Sequence, residues 1–212
     1  MKDFFLNYEN CWTDRSYIFS VLSGAVFVAI SFVINWYAGI YATESASNPV
    51  TDIFLSNVPV WNVDFIYTYG AMAFWVFVIC LALAKPQRIP FLLKSVALFV
   101  LIRSLFISLT HLGPFPTQAE VTLSSIMNKF TFGADLFFSG HTGLPFLMAL
   151  NFWNHKGLRI FFICAAIVFG ISVLLGHLHY SIDVLGAFFI TFSIFHMAEH
   201  FFPEDRKNFL KV

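Results

Sequence analysis

Residues 138–202 read FSGHTGLPFLMALNFWNHKGLRIFFICAAIVFGISVLLGHLHYSIDVLGAFFITFSIFHMAEHFF. Three apolar runs, 138–154, 158–176 and 181–202, are parted by the tight polar turn Asn154-His155-Lys156-Gly157 and by His177-Leu178-His179-Tyr180. A helix needs roughly 20 apolar residues to cross about 30 Å of hydrocarbon. Toward the N-terminus the runs 17–37, 64–84 and 91–110 have the same character. The sequence therefore predicts an all-α, polytopic membrane protein, a six-transmembrane helix bundle. Residues 1–16 form a cytoplasmic N-terminal segment, 17–202 the membrane domain and 203–212 a cytoplasmic tail.

Composition agrees with the runs. The 212 residues are 58% hydrophobic and only 11% charged, against about 25% charged in soluble domains. Lys+Arg equals Asp+Glu, 12 each, so charge carries no sign of a nucleic-acid partner. The 29 Phe, far more than the 5 Trp and 7 Tyr, suit lipid-facing surfaces. Cys80 and Cys164 lie inside apolar runs and Cys11 in the polar N-terminal segment, which implies neither a disulfide framework nor a metal spacing. The first run extends to Tyr37 and ends in aromatics, with Asp3, Glu9, Asp14 and Arg15 before it. It reads as a retained span rather than a cleavable signal. The loops 38–63 and 111–137 carry the turn formers Asn48-Pro49, Val58-Pro59 and Gly113-Pro114-Phe115-Pro116, and no internal repeat is visible.

Lys and Arg accumulate in cytoplasmic loops. In a six-span arrangement ten basic residues fall on one side: Lys2, Arg15, Lys85, Arg88, Lys94, Lys156, Arg159, Arg206, Lys207 and Lys211. Lys129 alone falls on the other, and Arg103 lies within the third span. Both termini are therefore expected in the cytoplasm. His141, at the start of span four, and His179 with Asp183, at the start of span six, then share the outer face with Glu44, Asp52, Asp64, Glu120 and Asp135.

Ionisable groups beside hydrocarbon are costly and by default functional. His179 and Asp183, four residues apart, share a helix face. A carboxylate on one imidazole nitrogen fixes the tautomer and raises the nucleophilicity of the other. A neutral His attacks phosphorus well and holds a phosphoryl group transiently. The plain alternative is a structural pair at a helix start. Ser139-Gly140-His141-Thr142 offers a helix N-terminus for an anion, with Ser139 as N-cap and Gly140 permitting close approach. His141 would serve as general acid, worth roughly 10²–10⁴-fold; a capped helix with an interfacial His is the alternative. Arg103 in a span costs at least ~2.5 kcal/mol unless paired, and its fork suits phosphoryl charge. Asp135 reads as a ligand for a headgroup amine or a cation, or as part of a helix cap.

These residues resemble a known family. Arg103-x6-Thr110 with Gly113-Pro114-Phe115-Pro116, then Gly133-Ala134-Asp135-x3-Ser139-Gly140-His141-Thr142, then His177-Leu178-His179-Tyr180-Ser181-Ile182-Asp183-Val184 are similar to the sphingomyelin synthase branch of the type 2 phosphatidic acid phosphatase superfamily. Pro49-Val50-Thr51-Asp52 is a weaker match. The resemblance implies six spans, a site on the extracytoplasmic or lumenal face, and a His-His-Asp triad: His179 as nucleophile, Asp183 orienting it, His141 as acid. Arg103, Ser139, Gly140, Thr142, Asp135 and Tyr180 would bind substrate. A membrane phospholipid would be the donor, and ceramide or diacylglycerol, or water, the acceptor. The family's Cys-Gly-Asp is Gly133-Ala134-Asp135 here, and the wider phosphatases' Arg six residues before the second His is Val173. The latter omission favours the synthase branch.

Two other readings compete. A lipid phosphatase or phospholipase C-type hydrolase would use the same residues with water as acceptor. A non-enzymatic scaffold or lipid transporter would line a passage with them, although transporters commonly show paired repeats or broken helices. His196-Met197-Ala198-Glu199-His200 matches the H-x-x-E-H zinc-peptidase pattern, but it sits at the opposite end of span six with no third ligand evident. The chemistry proposed needs no metal and no cofactor, because Arg103, His141 and helix N-termini carry the charge. The aromatics Trp36, Tyr37, Trp61, Tyr67 and Trp75 read mostly as interface belts.

Overall fold

The computed structural model describes residues 8, 11–121 and 136–211. They form helices and connecting segments, with no strand among the described residues. The chain order is α1 (Arg15–Glu44), a π-helical turn (Phe65–Gly70) running into α2 (Ala71–Ala84), and a 3₁₀ turn (Pro86–Arg88) running into α3 (Ile89–Leu109). Then come α4 (Gly140–Asn151), α5 (Lys156–Leu175), α6 (Ser181–Phe201) and α7 (Pro203–Leu210). Among the described residues, five helices are long and apolar enough to cross a membrane: α1, Phe65–Ala84, Pro86–Leu109, α5 and α6. The protein is an integral membrane protein by this character.

The expected fourth span, 138–154, takes a different form. Its helix, α4, has 12 residues and is about 18 Å long at 1.5 Å per residue, too short for ~30 Å of hydrocarbon. Ser139 caps its start: the Ser139 hydroxyl accepts from the Thr142 N–H at 3.3 Å. Asn151 ends it, followed by a turn through Phe152. Most of α4 is buried, including Leu147, Met148 and Ala149 at 0% exposure. It packs between α5 and α6 and runs from the end of the bundle that holds His141 to the end where the Asn151 carbonyl receives Arg206. Pro145 inside it removes the N–H that would bond the His141 carbonyl.

Close approach governs the packing. On α1 the buried residues Gly24, Ser31 and Ala38 recur every seven positions, with Ala42 one turn beyond. Small residues let helix backbones meet where lipid supplies no hydrophobic drive, and α1 packs chiefly on α3. The remainder of α1 is exposed apolar surface, as at Phe19 and Tyr37. The tightest crossing is at Gly143 on α4, where a Cβ would lie 2.7 Å from the Phe99 ring and 2.9 Å from Thr191 Oγ1. The phenylalanines divide between two environments. Phe19, Phe65 and Phe189 face outward, whereas Phe91, Phe99, Phe138, Phe152 and Phe162 are fully buried. Among the buried ones, Phe99 meets Phe138 edge to face with centroids 5.3 Å apart, a geometry that adds to area burial.

The expected tail folds back as α7 and closes one end of the bundle. Arg206 donates from Nε to Glu199 at 2.9 Å and from a terminal nitrogen to the Asn151 carbonyl at 2.9 Å. Its guanidinium also lies over the rings of Phe91, Phe195 and Phe209. Lys94 lies 2.6 Å from the Asp205 carboxylate and donates to Ser20 at 2.7 Å. Arg88 meets the His155 ring at 3.2 Å in the same region. This end thus gathers several of the basic side chains.

Gly143→Ala is expected to force Phe99 off its position, since that ring is enclosed. Overpacking of this kind costs about 1–3 kcal/mol. Thermal unfolding of the detergent-solubilised variant should show a lower midpoint than wild type.

Candidate functional site

At the other end, the two outer loops meet around the turn between α5 and α6. His177 and Tyr180 each hold both of them, and Ser181 holds the first. His177 is buried and adopts a positive φ of 54°, sparsely allowed for a residue with a Cβ. Its Nε2 meets the Val58 carbonyl at 3.1 Å, and its Nδ1 meets the Thr117 hydroxyl at 2.8 Å. Nδ1 also lies 3.0 Å from the Thr117 backbone carbonyl, so the ring is tied to both loops through both nitrogens. The Tyr180 hydroxyl donates to the Gly113 carbonyl at 2.8 Å and accepts from the Val50 N–H at 3.3 Å. Burial, with the charges of Asp183 and Asp52 adding to it, pushes the phenol's pKa up, so it remains a donor. The two outer loops touch where a Cβ on Gly113 would lie 2.2 Å from the Ser47 carbonyl oxygen; only glycine fits there.

Asp52 secures the first loop to α6. Its carboxylate accepts from the Ser181 N–H at 2.8 Å and the Ser181 hydroxyl at 2.9 Å. It also accepts from the backbone of Phe54 and Leu55 at 2.8 and 3.1 Å. Partial burial would raise its pKa; the four donors outweigh burial and hold it below the ordinary 3.8. An anion at a helix start is further favoured by the dipole.

Inside this cap lies a cavity of about 300 Å³. Arg103 from α3, Gly140 and His141 from α4, and His179 from the α5–α6 turn line it, with Asn35 and Phe32 from α1 and Tyr67, Phe74 and Trp75 from the second span. His179 Nδ1 lies 3.4 Å from Asp183 Oδ2. The pair is close without meeting hydrogen-bond geometry, and Nδ1 is buried without another partner among the described residues. Unliganded sites commonly hold such contacts long until substrate tightens them. Asp183 itself is fully buried. Its Oδ2 accepts from the Tyr180 N–H at 2.9 Å, and its backbone carbonyl accepts from the Ser139 N–H at 3.2 Å. That last bond ties the two motifs directly.

His141 stacks on the Tyr67 ring at 4.0 Å between centroids, with planes 18° apart, and meets Phe169 edge-on at 6.1 Å. Tyr67 sits in the π-helical turn, a widened turn frequent at functional sites. Arg103 is buried and donates from Nε to the Phe138 carbonyl at 2.9 Å. A Cβ on Gly140 would sit 3.5 Å from that nitrogen, an ordinary contact. Glycine there leaves room in the cavity rather than relieving a clash.

Of the residues expected to contact substrate, Arg103, Gly140, His141 and His179 reach the cavity, and Asp183 stands behind His179. Ser139, Thr142 and Tyr180 do not line it. The Ser139 hydroxyl accepts from the Thr142 N–H and the Thr142 hydroxyl, and Tyr180 is spent on the loops. Their work is to hold the framework. Asp135 lies outside the described residues. Tyr67 and Trp75, expected in interface belts, line the cavity instead, and Asn35 joins them. An Asn inside an otherwise apolar run was the available signal for Asn35; the two aromatics had none. His196 and Arg206 both engage Glu199, at 3.1 and 2.9 Å, and no group of three metal-ligating side chains occurs among the described residues.

Residues 133–201 match the family model described as PAP2 superfamily C-terminal. The match takes in both histidine motifs and supports a place in that superfamily, whose members are phosphatases and phosphotransferases. No curated protein and no solved structure gives a significant match.

Asp52 stabilises the cap while ionised. With its pKa depressed on folding, that contribution is full above the ordinary carboxylate value and is lost as pH falls through the lower folded one. Hydrogen exchange of the amides of Phe54, Leu55 and Ser181 should quicken in wild type below about pH 4. Asp52→Asn should show the quickened exchange already at neutral pH, with the acid dependence flattened.

Proposed function

We propose that the protein is a lipid phosphotransferase that moves a phospho-headgroup from a membrane phospholipid to a lipid alcohol, as sphingomyelin synthases do. The observation that carries this reading is the convergence of His141, His179 and Arg103, from three separate elements, on one cavity with Asp183 behind His179. Such a set suits in-line displacement at phosphorus: a nucleophile, an acid and a cation face one space.

In the proposed reaction, Asp183 holds His179 with its proton on Nδ1 and leaves the Nε2 lone pair toward the cavity. Nε2 attacks phosphorus and the bond from phosphorus to the lipid oxygen breaks. His141 gives its proton to the departing alcohol, while Arg103 balances the charge spread over the phosphoryl oxygens. A phosphohistidine bearing the headgroup remains. Neutral His141 then takes the proton of the acceptor hydroxyl, which attacks phosphorus and releases His179. Ceramide or diacylglycerol as acceptor completes transfer. Water as acceptor makes the same residues a lipid phosphatase or phospholipase C-type hydrolase. The aromatic and aliphatic lining supports the lipid alcohol, since a site that excludes water removes the acceptor that would compete for the intermediate. The charge distribution of the loops supports a site on the extracytoplasmic or lumenal side with cytoplasmic termini.

Incubating the purified protein with headgroup-labelled phospholipid, with and without ceramide or diacylglycerol, tests the proposal. Label should pass to the added alcohol. Release of free phosphate or phosphocholine at equal rates in both tubes would instead establish the hydrolase. His179→Ala and Asp183→Asn should each lower turnover by several orders of magnitude, whereas His200→Ala, at the far end of α6, should leave it near wild type. Full activity in His179→Ala would remove the phosphohistidine.

A further inference from the structure

One polar side chain in the cavity has no part in the phosphoryl chemistry. Asn35 lies on α1, whose mean hydropathy over its best window is 2.3. A side-chain amide in such a helix is unfavourable unless it finds a partner. Ser104 on α3 supplies half of one: its hydroxyl donates to the Val100 carbonyl at 2.8 Å and reaches Asn35 Oδ1 at 3.3 Å. Asn35 Nδ2 meets no acceptor among the described residues. Asn35 and Arg103 line the same cavity, so the amide tethered by Ser104 shares the space of the residue that would hold phosphate.

We infer that Asn35 is a specificity-determining residue, donating from Nδ2 to the acyl carbonyl of the lipid whose phosphate or hydroxyl sits among Arg103, His141 and His179. The inference rests on the phospholipid reading of the site. A volume of about 300 Å³ is at the small end for ligand pockets. It accommodates a headgroup and the start of the lipid backbone, and the chains must stay outside. Phe32 on α1 and Trp75 on α2 line the same cavity, so part of its lining is apolar and comes from two helices with large exposed apolar surfaces. Chains leaving between these two helices would remain in the bilayer. The first uncharged acceptor a few bonds from the phosphorus of a glycerophospholipid is its ester carbonyl. In ceramide the amide carbonyl occupies the corresponding place near the reacting hydroxyl. A neutral amide donor discriminates such a carbonyl from an ether oxygen, a poorer acceptor, without competing for the phosphate as a cation would.

The test is native mass spectrometry of the detergent-purified full chain titrated with dioleoyl phosphatidylcholine, its dialkyl-ether counterpart, or ceramide. Wild type should bind the diester more tightly than the diether, by about two- to tenfold for one hydrogen bond. Asn35→Leu, close in volume, should abolish that preference by weakening diester binding alone. Ser104→Ala keeps the helix backbone and unties the amide, and should narrow the preference in the same direction; it decides the matter if the leucine variant does not fold. A parallel loss for ceramide assigns the contact to the acceptor as well, and its absence confines it to the donor. An unchanged diester preference in the variants, or equal losses for diester and diether, overturns the inference. Turnover reads separately: wild-type protein that binds the diester with the stated preference but transfers and hydrolyses nothing refutes the proposed activity and leaves the role of Asn35 standing.

Discussion

The bond from the Ser139 N–H to the Asp183 carbonyl, at 3.2 Å, is where the two histidine motifs become one site. Both partners are fully buried, where a backbone donor left unpaired would be expensive. The bond therefore sets the register between the start of α4 and the start of α6. Asp183 does three things at once: its carbonyl receives Ser139, its carboxylate accepts from the Tyr180 N–H, and the same carboxylate faces His179. Displacing it would disturb the α4 cap, the α6 start and the histidine together.

Around this centre, polar groups near hydrocarbon find partners in the loops. His177, Tyr180 and Ser181 flank His179 along five residues of chain and grip backbone or carboxylate groups from both outer loops. The loops gain their conformation from these bonds, and His179 gains a fixed place. The opposite end uses another solution. There Arg206, Lys94 and Arg88 are held by carboxylates, a carbonyl and aromatic faces, which lets α7 seal the bundle while keeping cations near the interface. The molecule is thus hydrogen-bonded at the end of the site and cation-bearing at the other.

Much of the site was legible beforehand because its chemistry needs particular residue types. A His four residues before an Asp at a helix start, a second His after Ser-Gly, and an Arg inside an apolar run are all expensive in a membrane and stand out. Ser139, Thr142 and Tyr180 lie outside the cavity lining, and the reason is physical. Hydroxyls beside a catalytic-looking His read as ligands, but a helix start and a loop junction use hydroxyls equally well, and only distances separate the two uses. Tyr67 and Trp75 were hidden because an aromatic near a span end has the same sequence appearance whether it faces lipid or a cavity.

The helical, membrane-embedded character follows from the sequence alone, because apolar runs of that length have no other way to satisfy their backbone. So do the segregation of basic residues and the identity of the ionisable groups, which composition and spacing express locally. The tertiary structure decided that 138–154 holds a short helix buried between α5 and α6, since hydropathy registers apolarity and cannot tell burial in protein from burial in lipid. That helix still runs from the cavity end, at His141, to the end where Asn151 receives Arg206, and the fold brings His141, His179 and Arg103 into one cavity with Asn35, Tyr67 and Trp75. Those six come from five places along the chain, and the contacts joining them lie between helices, where no local pattern records them.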